Sequence, residues 1–247
     1  MLSVFVLRLA MGALFALLLL SSRQVAARFY RSQFLVALGL ICVALVFHWS
    51  DAGSRLRILL SVSLVLAFLG SIQWSLHRAP GGYLTILASV ILLGWSLWLM
   101  PTDSPISPWW LRVNDWTAAM VLGLGLASML LGHSYLVATS MSIEPLLRLL
   151  IGFFVALILR AIFAGVVLGL YSSKLSQASL TSITILWLPV RWLLGIVIPA
   201  VLGWMAWQSA RIRSTQSATG ILYVLVILCF LGELTGQLLL SETGRPL

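Results

Sequence analysis

The chain has 247 residues, of which 61% are hydrophobic and 9% charged, and its mean hydropathy is +1.09. Soluble domains carry about a quarter charged residues, so this composition excludes an ordinary soluble domain and indicates an integral membrane protein. The net charge of +9 comes from basic residues spread singly between apolar runs, which fits juxtamembrane anchoring in a lipid bilayer and argues against a nucleic-acid partner.

A helical span needs about 20 apolar residues, so the length reads as a helix count. Hydrophobic segments fall at about 2–20, 34–49, 56–75, 83–100, 114–135, 146–171, 184–208 and 217–240. The first contains one charge, Arg8, inside the apolar run and not before it, so a retained helix fits better than a cleaved signal. The second is short, and extension through Ser32 and Gln33 or local bilayer thinning would complete it. Short connections make consecutive helices antiparallel neighbours. The connection PTDSPISPWWLRV, 101–113, holds three prolines and a Trp pair. It divides the chain into an N-terminal half, 1–100, and a C-terminal half, 114–247, each with four helices. The fold expected is all-α, with eight transmembrane helices in two four-helix bundles.

Ser142 followed by Pro145 marks the entry to the sixth segment, and Gly165 with Gly169 forms a small-residue packing face there. Pro189 and Pro199 should bend the seventh. The connection 172–184 is long enough for a turn of surface helix. Trp49, Trp74, Trp98, Trp109, Trp110, Trp116, Trp187 and Trp207 stand near segment ends, where interfacial anchors are expected. Cys42 and Cys229 lie inside apolar runs and read as small buried hydrophobes.

Connections after segments one, three, five and seven carry Arg23, Arg28, Arg31, Arg78, Arg148, Arg211 and Arg213. Arg8, Arg55, Arg57, Arg112, Lys174 and Arg245 count for the opposite side. The first connection concentrates three of the arginines, and early loops weigh most in topology. Both termini are therefore expected outside the cytoplasm, in the inner (plasma) membrane.

The last segment holds Glu233, the acid set deepest in an apolar run. A carboxylate at that depth is costly unless protonated, paired or wet, and reads as functional by default; a structural ion pair is the alternative. On helical spacing Thr219, Tyr223, Val226, Phe230, Glu233 and Gln237 share a stripe, and Gly232 with Gly236 would let a neighbouring backbone close in. With a rise of about 1.5 Å per residue, Glu233 lies roughly 12 Å, Arg160 roughly 16 Å and Arg191 about 10 Å from the outer helix ends. Asp115 is shallower. An Arg160–Glu233 or Arg191–Glu233 pair would remove most of the desolvation cost. His48 ends the second segment on the outer side; His77 and His133 end the third and fifth on the inner side. Two histidines at matching depth could ligate a b-type haem, but positions at helix ends favour solvated or capping roles. Hydrolase and iron–sulfur motifs are missing from the sequence, with no HExxH, GxSxG or CxxC run.

The run Gly232, Glu233, Leu234 and Gly236 resembles the closing helix of the membrane-anchor subunits of polysulfide and dimethyl-sulfoxide reductase complexes. A second likeness is FHWSDAGSRLR, Phe47 to Arg57, where a histidine at an outer helix end precedes a Gly-Ser turn and a basic residue. The resemblance implies a quinone-reacting protein of eight or more helices with both termini outside, a quinol-site role for His48 and a polar contact from Arg55. The chain departs from the family at Gln237, where an arginine is often found, and in a third segment without an acid.

Two classes of function follow. One is the membrane subunit of a respiratory or electron-transfer complex, binding quinone near the outer face among His48, Arg55, Arg160, Arg191, Glu233 and Gln237, and passing electrons to a redox partner subunit. The other is a structural or assembly subunit without chemistry of its own, with a small-molecule transporter ranked behind it because no inverted repeat is visible.

Overall fold

The computed structural model describes residues 1–49, 53–76, 81–101, 107–137, 141–172 and 182–245. Among them every regular element is helical: α1 (Leu2–Leu18), α2 (Ala27–Phe47), α3 (Ser54–Gln73), α4 (Gly82–Trp98), α5 (Pro108–Val137), α6 (Glu144–Ser172), α7 (Ser182–Trp192), a π turn (Leu193–Val197), α8 (Ile198–Arg211) and α9 (Thr215–Thr243). Six helical stretches are long and apolar enough to cross a membrane, with α7, the π turn and α8 supplying one of them together; α1 and α4 are apolar but shorter. Exposed Ile, Leu, Val and Phe side chains cover the outside of the bundle. Such a surface is stable against hydrocarbon and not against water. The chain is thus a multi-pass, all-α membrane protein.

α1 sits at the centre. Thirteen of its 17 residues are buried, and it packs against α2, α4 and α5. A helix apolar on all sides is buried on all sides, and the short length of α1 suits one enclosed by longer neighbours. Its closest approach is to α5: a Cβ at Gly12 would run into the Ala119 carbonyl, and one at Gly123 into the Gly12 backbone. Only glycine permits that crossing distance. From α5 the packing extends to α6 and α9, and α9 is flanked by α7, the π turn and α8. One hydrophobic core, from Leu7 and Leu14 through Phe34 and Leu93 to Leu150 and Leu225, runs through both halves of the chain.

Several boundaries differ from those read off the sequence. α2 begins at Ala27, well before residue 34, because Phe29, Tyr30 and Gln33 turn inward. α5 begins at Pro108, so nearly half of the 101–113 connection is helical; proline fits a first helical position, where its missing N–H leaves nothing unsatisfied. The seventh segment is broken in the region its prolines mark. Pro199 cannot donate to Gly195, and Ile198 N–H bonds back to Leu193, five residues earlier, making the π turn. Trp49, Trp98 and Trp109 are exposed near helix ends as expected of anchors, whereas Trp74 is buried, stacked on Tyr30 at 4.1 Å between centroids. Most of the 172–184 connection lies outside the described residues.

Candidate functional site

The buried charges among the described residues are Arg8, Arg112, Arg160, Arg191, Asp115 and Glu233. They come from α1, α5, α6, α7 and α9, and all but Arg191 join in one network. Arg8 is at its centre, 1% exposed. Its guanidinium forms ion pairs with Asp115 of α5 and Glu233 of α9, and Nε also donates to Asp115 Oδ1 at 3.1 Å. Arg160 Nη2 donates to Glu233 Oε2 at 3.0 Å. Its Nη1 donates to the carbonyl and side-chain oxygens of Asn114, at 2.8 and 2.7 Å, and to Thr117 Oγ1 at 3.1 Å. Arg112 faces Asp115 Oδ2 at 3.4 Å and caps the end of α4 by donating to the carbonyls of Leu97 and Met100, at 2.6 and 2.8 Å. All four carboxylate oxygens therefore face a guanidinium. Gln237, with its amide set by its neighbours, accepts from Arg8 Nη1 at 3.1 Å and donates to the Met1 carbonyl at 2.9 Å.

Arg191 stands apart. It is 4% exposed, and its Nη1 is buried without a hydrogen-bond partner among the described residues. Space for it exists because α9 has glycine opposite: a Cβ at Gly236 would stand 3.0 Å from Arg191 Nε. One turn earlier, Gly232 meets Gly195 of the π turn backbone to backbone, as the glycines flanking Glu233 predict. Between these elements is a cavity of about 20 Å³, lined by Arg160, Arg191, Gly195, Gly232, Glu233 and Cys229, with Ala118, Val121 and Leu122 on its apolar side.

Of the six residues read as a site, the structure brings Arg160, Arg191, Glu233 and Gln237 together. His48 and Arg55 lie elsewhere. His48 caps α2 with its Nε2 3.1 Å from Met100 Sδ, and Arg55 is exposed at the start of α3. His77 is outside the described residues, and His133 Nδ1 lies 3.3 Å from Tyr223 Oη. Tyr223 is 41% exposed, so the inward face of α9 runs through Leu222, Val226, Cys229, Glu233 and Gln237 and not through Tyr223. A Cβ at Gly165 would stand 3.7 Å from the Trp192 ring, with no backbone of a neighbouring helix within 4 Å. Sequence reasoning misses Arg8 and Asn114. The signal for Arg8 lies in the first segment, whose single charge falls seven residues into the helix, about 10 Å deep; a count of charges by side treats it as terminal.

Charges of both signs from five elements meeting inside an apolar bundle define a membrane protein with an intramembrane polar centre. Comparison with known proteins finds no matching family model, no matching curated sequence and no matching solved structure.

Proposed function

We propose that this chain is an eight-span subunit that works as a structural or assembly component of a membrane complex, with no chemistry of its own. The observation behind this reading is the saturation of the network. Every oxygen of Asp115 and Glu233 already faces an arginine, so both acids are engaged in joining helices. Acids and arginines joined in this way lock helices into one register. The eight spans count α1 and α4 as crossing helices and α7–α8 as one broken span. At 17 residues, each of the two short helices covers about 26 Å of a hydrocarbon layer of about 30 Å, a deficit that flanking residues make up. An even count would put both termini on one side, and the exposed Arg23, Arg28 and Arg31, read as cytoplasmic, support the exterior for that side. These arginines, Arg23 on the short first connection and Arg28 and Arg31 at the start of α2, offer the docking surface for a partner on the cytoplasmic face.

A quinone-reacting electron-transfer role would use Glu233 or His48 as proton acceptor. The cavity beside Glu233 has room for about one water-sized molecule, and His48 faces the Met100 thioether. Support for that role therefore comes from the helical membrane scaffold and the sequence resemblance.

Purification of the complex from its native membrane, with partner identification and an absorption spectrum, tests the proposal. Stoichiometric membrane or peripheral subunits, together with a Glu233→Gln variant that loses assembly in step with stability, are expected. A lone monodisperse chain with turnover or transport of its own would overturn the scaffold reading; a haem or iron–sulfur partner whose quinol turnover falls in a stably assembled Glu233→Gln complex would replace it with the electron-transfer one.

A further inference from the structure

We propose that the cavity between the π turn and α9 is a binding site for one small halide-class anion, chloride in physiological media, held by Arg191 and Arg160. This goes beyond the scaffold reading and does not depend on it. The buried charges among the described residues are four arginines and two carboxylates, an excess of two positive charges in an apolar bundle. Arg112 lies at the edge of the network on the carbonyls that end α4, which absorb part of its charge. Arg191 has no carboxylate within ion-pair distance among the described residues, and its Nη1 is buried there without a partner. An uncompensated guanidinium inside the bundle carries a desolvation cost of several kcal/mol, and a water can accept its hydrogen bond without neutralising it.

The cavity of about 20 Å³ is lined by both Arg160 and Arg191, and one water-sized centre occupies about 10–15 Å³. That space suits one small spherical anion such as a halide better than a larger tetrahedral oxyanion. Gly195 and Gly232, in close backbone contact, form part of its lining and add no side chain to the space beside the two guanidiniums. Glu233 also lines the cavity, and its repulsion is offset because both of its oxygens are held by Arg8 and Arg160. The Cys229 thiol on the wall is a weak donor that tolerates an anion.

The test uses the full-length purified protein in detergent and in nanodiscs of uncharged lipid, with sodium gluconate exchanged for sodium chloride or bromide at constant ionic strength. A saturable rise in Tm on the order of a few degrees is expected with halide, absent in Arg191→Gln. Crystals grown in bromide should show an anomalous peak within contact distance of Arg191 and Arg160, an arm that decides the matter even where the variant does not fold. A Tm indifferent to halide, an equal response in Arg191→Gln, or a bromide-free cavity would overturn the site. An equal rise with inorganic phosphate, or with phosphatidylglycerol in place of uncharged lipid, would overturn the halide assignment.

Discussion

Arg8 shows how one side chain can set the state of several others. Its planar fork reaches carboxylates on two helices at once, a geometry a lysine ammonium does not reproduce. Removing it strands Asp115 and Glu233 with reduced compensation, and breaking a buried pair costs about 3–5 kcal/mol. Arg8→Met should therefore lower stability by that order in a denaturant titration in mixed micelles, with Arg8→Lys falling between it and wild type. The Arg160–Glu233 bond at 3.0 Å is separable by a double-mutant cycle: Arg160→Gln and Glu233→Gln should show a coupling of about 1–3 kcal/mol, and strict additivity would remove the pair from the network's energetics. Part of this was legible in the sequence. Glu233 and Arg160 fall at similar depths once each helix is measured by its rise, and the structure pairs them. Asp115 reads as shallow, and its partner Arg8 as a terminal charge, because depth is counted from a segment's end and says nothing of which neighbour a side chain faces. Arg55, grouped with a basic motif by sequence, is exposed because a motif on a helix end fixes spacing and leaves burial to the partners.

At the scale of the element, close backbone approach does what side-chain packing cannot. α1 and α5 meet at Gly12 and Gly123, with no space for a Cβ on either. Gly12→Ala should push the helices apart, and overpacking of this kind typically costs about 1–3 kcal/mol, with the Arg8–Asp115 pair strained by the same movement. A Cβ added at Gly39 or Gly220 would meet nothing within 4 Å, and alanine there should be neutral or stabilise by up to about 1 kcal/mol through helix propensity. Thermal unfolding followed by Trp fluorescence compares all three; equal effects at Gly12 and Gly39 would show that the crossing contributes nothing. The break between α7 and α8 belongs to the same scale. The prolines mark it in the sequence, but whether a proline yields a kink, a gap or a π turn depends on which neighbour takes up the freed backbone, and Gly195 against Gly232 is a tertiary fact. The central place of α1 is hidden for a related reason. A helix apolar on every face gives no direction to its burial, and its pattern is the same whether lipid or protein surrounds it.

For the whole molecule, the network turns two runs of helices into one body. Orientation is checked by cysteine labelling: in a background with Cys42 and Cys229 replaced, Ser22→Cys should react with an impermeant maleimide only from the cytoplasmic side and Ser54→Cys only from outside, and the reverse pattern would invert the topology. The division of the chain near residue 101 separates Arg8 on α1 from Asp115, Arg160 and Glu233 on the later helices. Expressed alone, residues 1–100 would carry Arg8 into the membrane without either of its acids, and 101–247 would leave Asp115 and Glu233 short of a guanidinium; both fragments should be unstable. Co-expressed, they have the glycine crossing of α1 on α5, the continuous core and two ion pairs to reunite them, so an affinity tag on one fragment should recover the other. Arg8→Met in the first fragment tests what holds the halves together. Recovery that falls sharply with this substitution assigns the assembly to the buried charges, whereas unchanged recovery assigns it to apolar packing and makes the network a device for register alone.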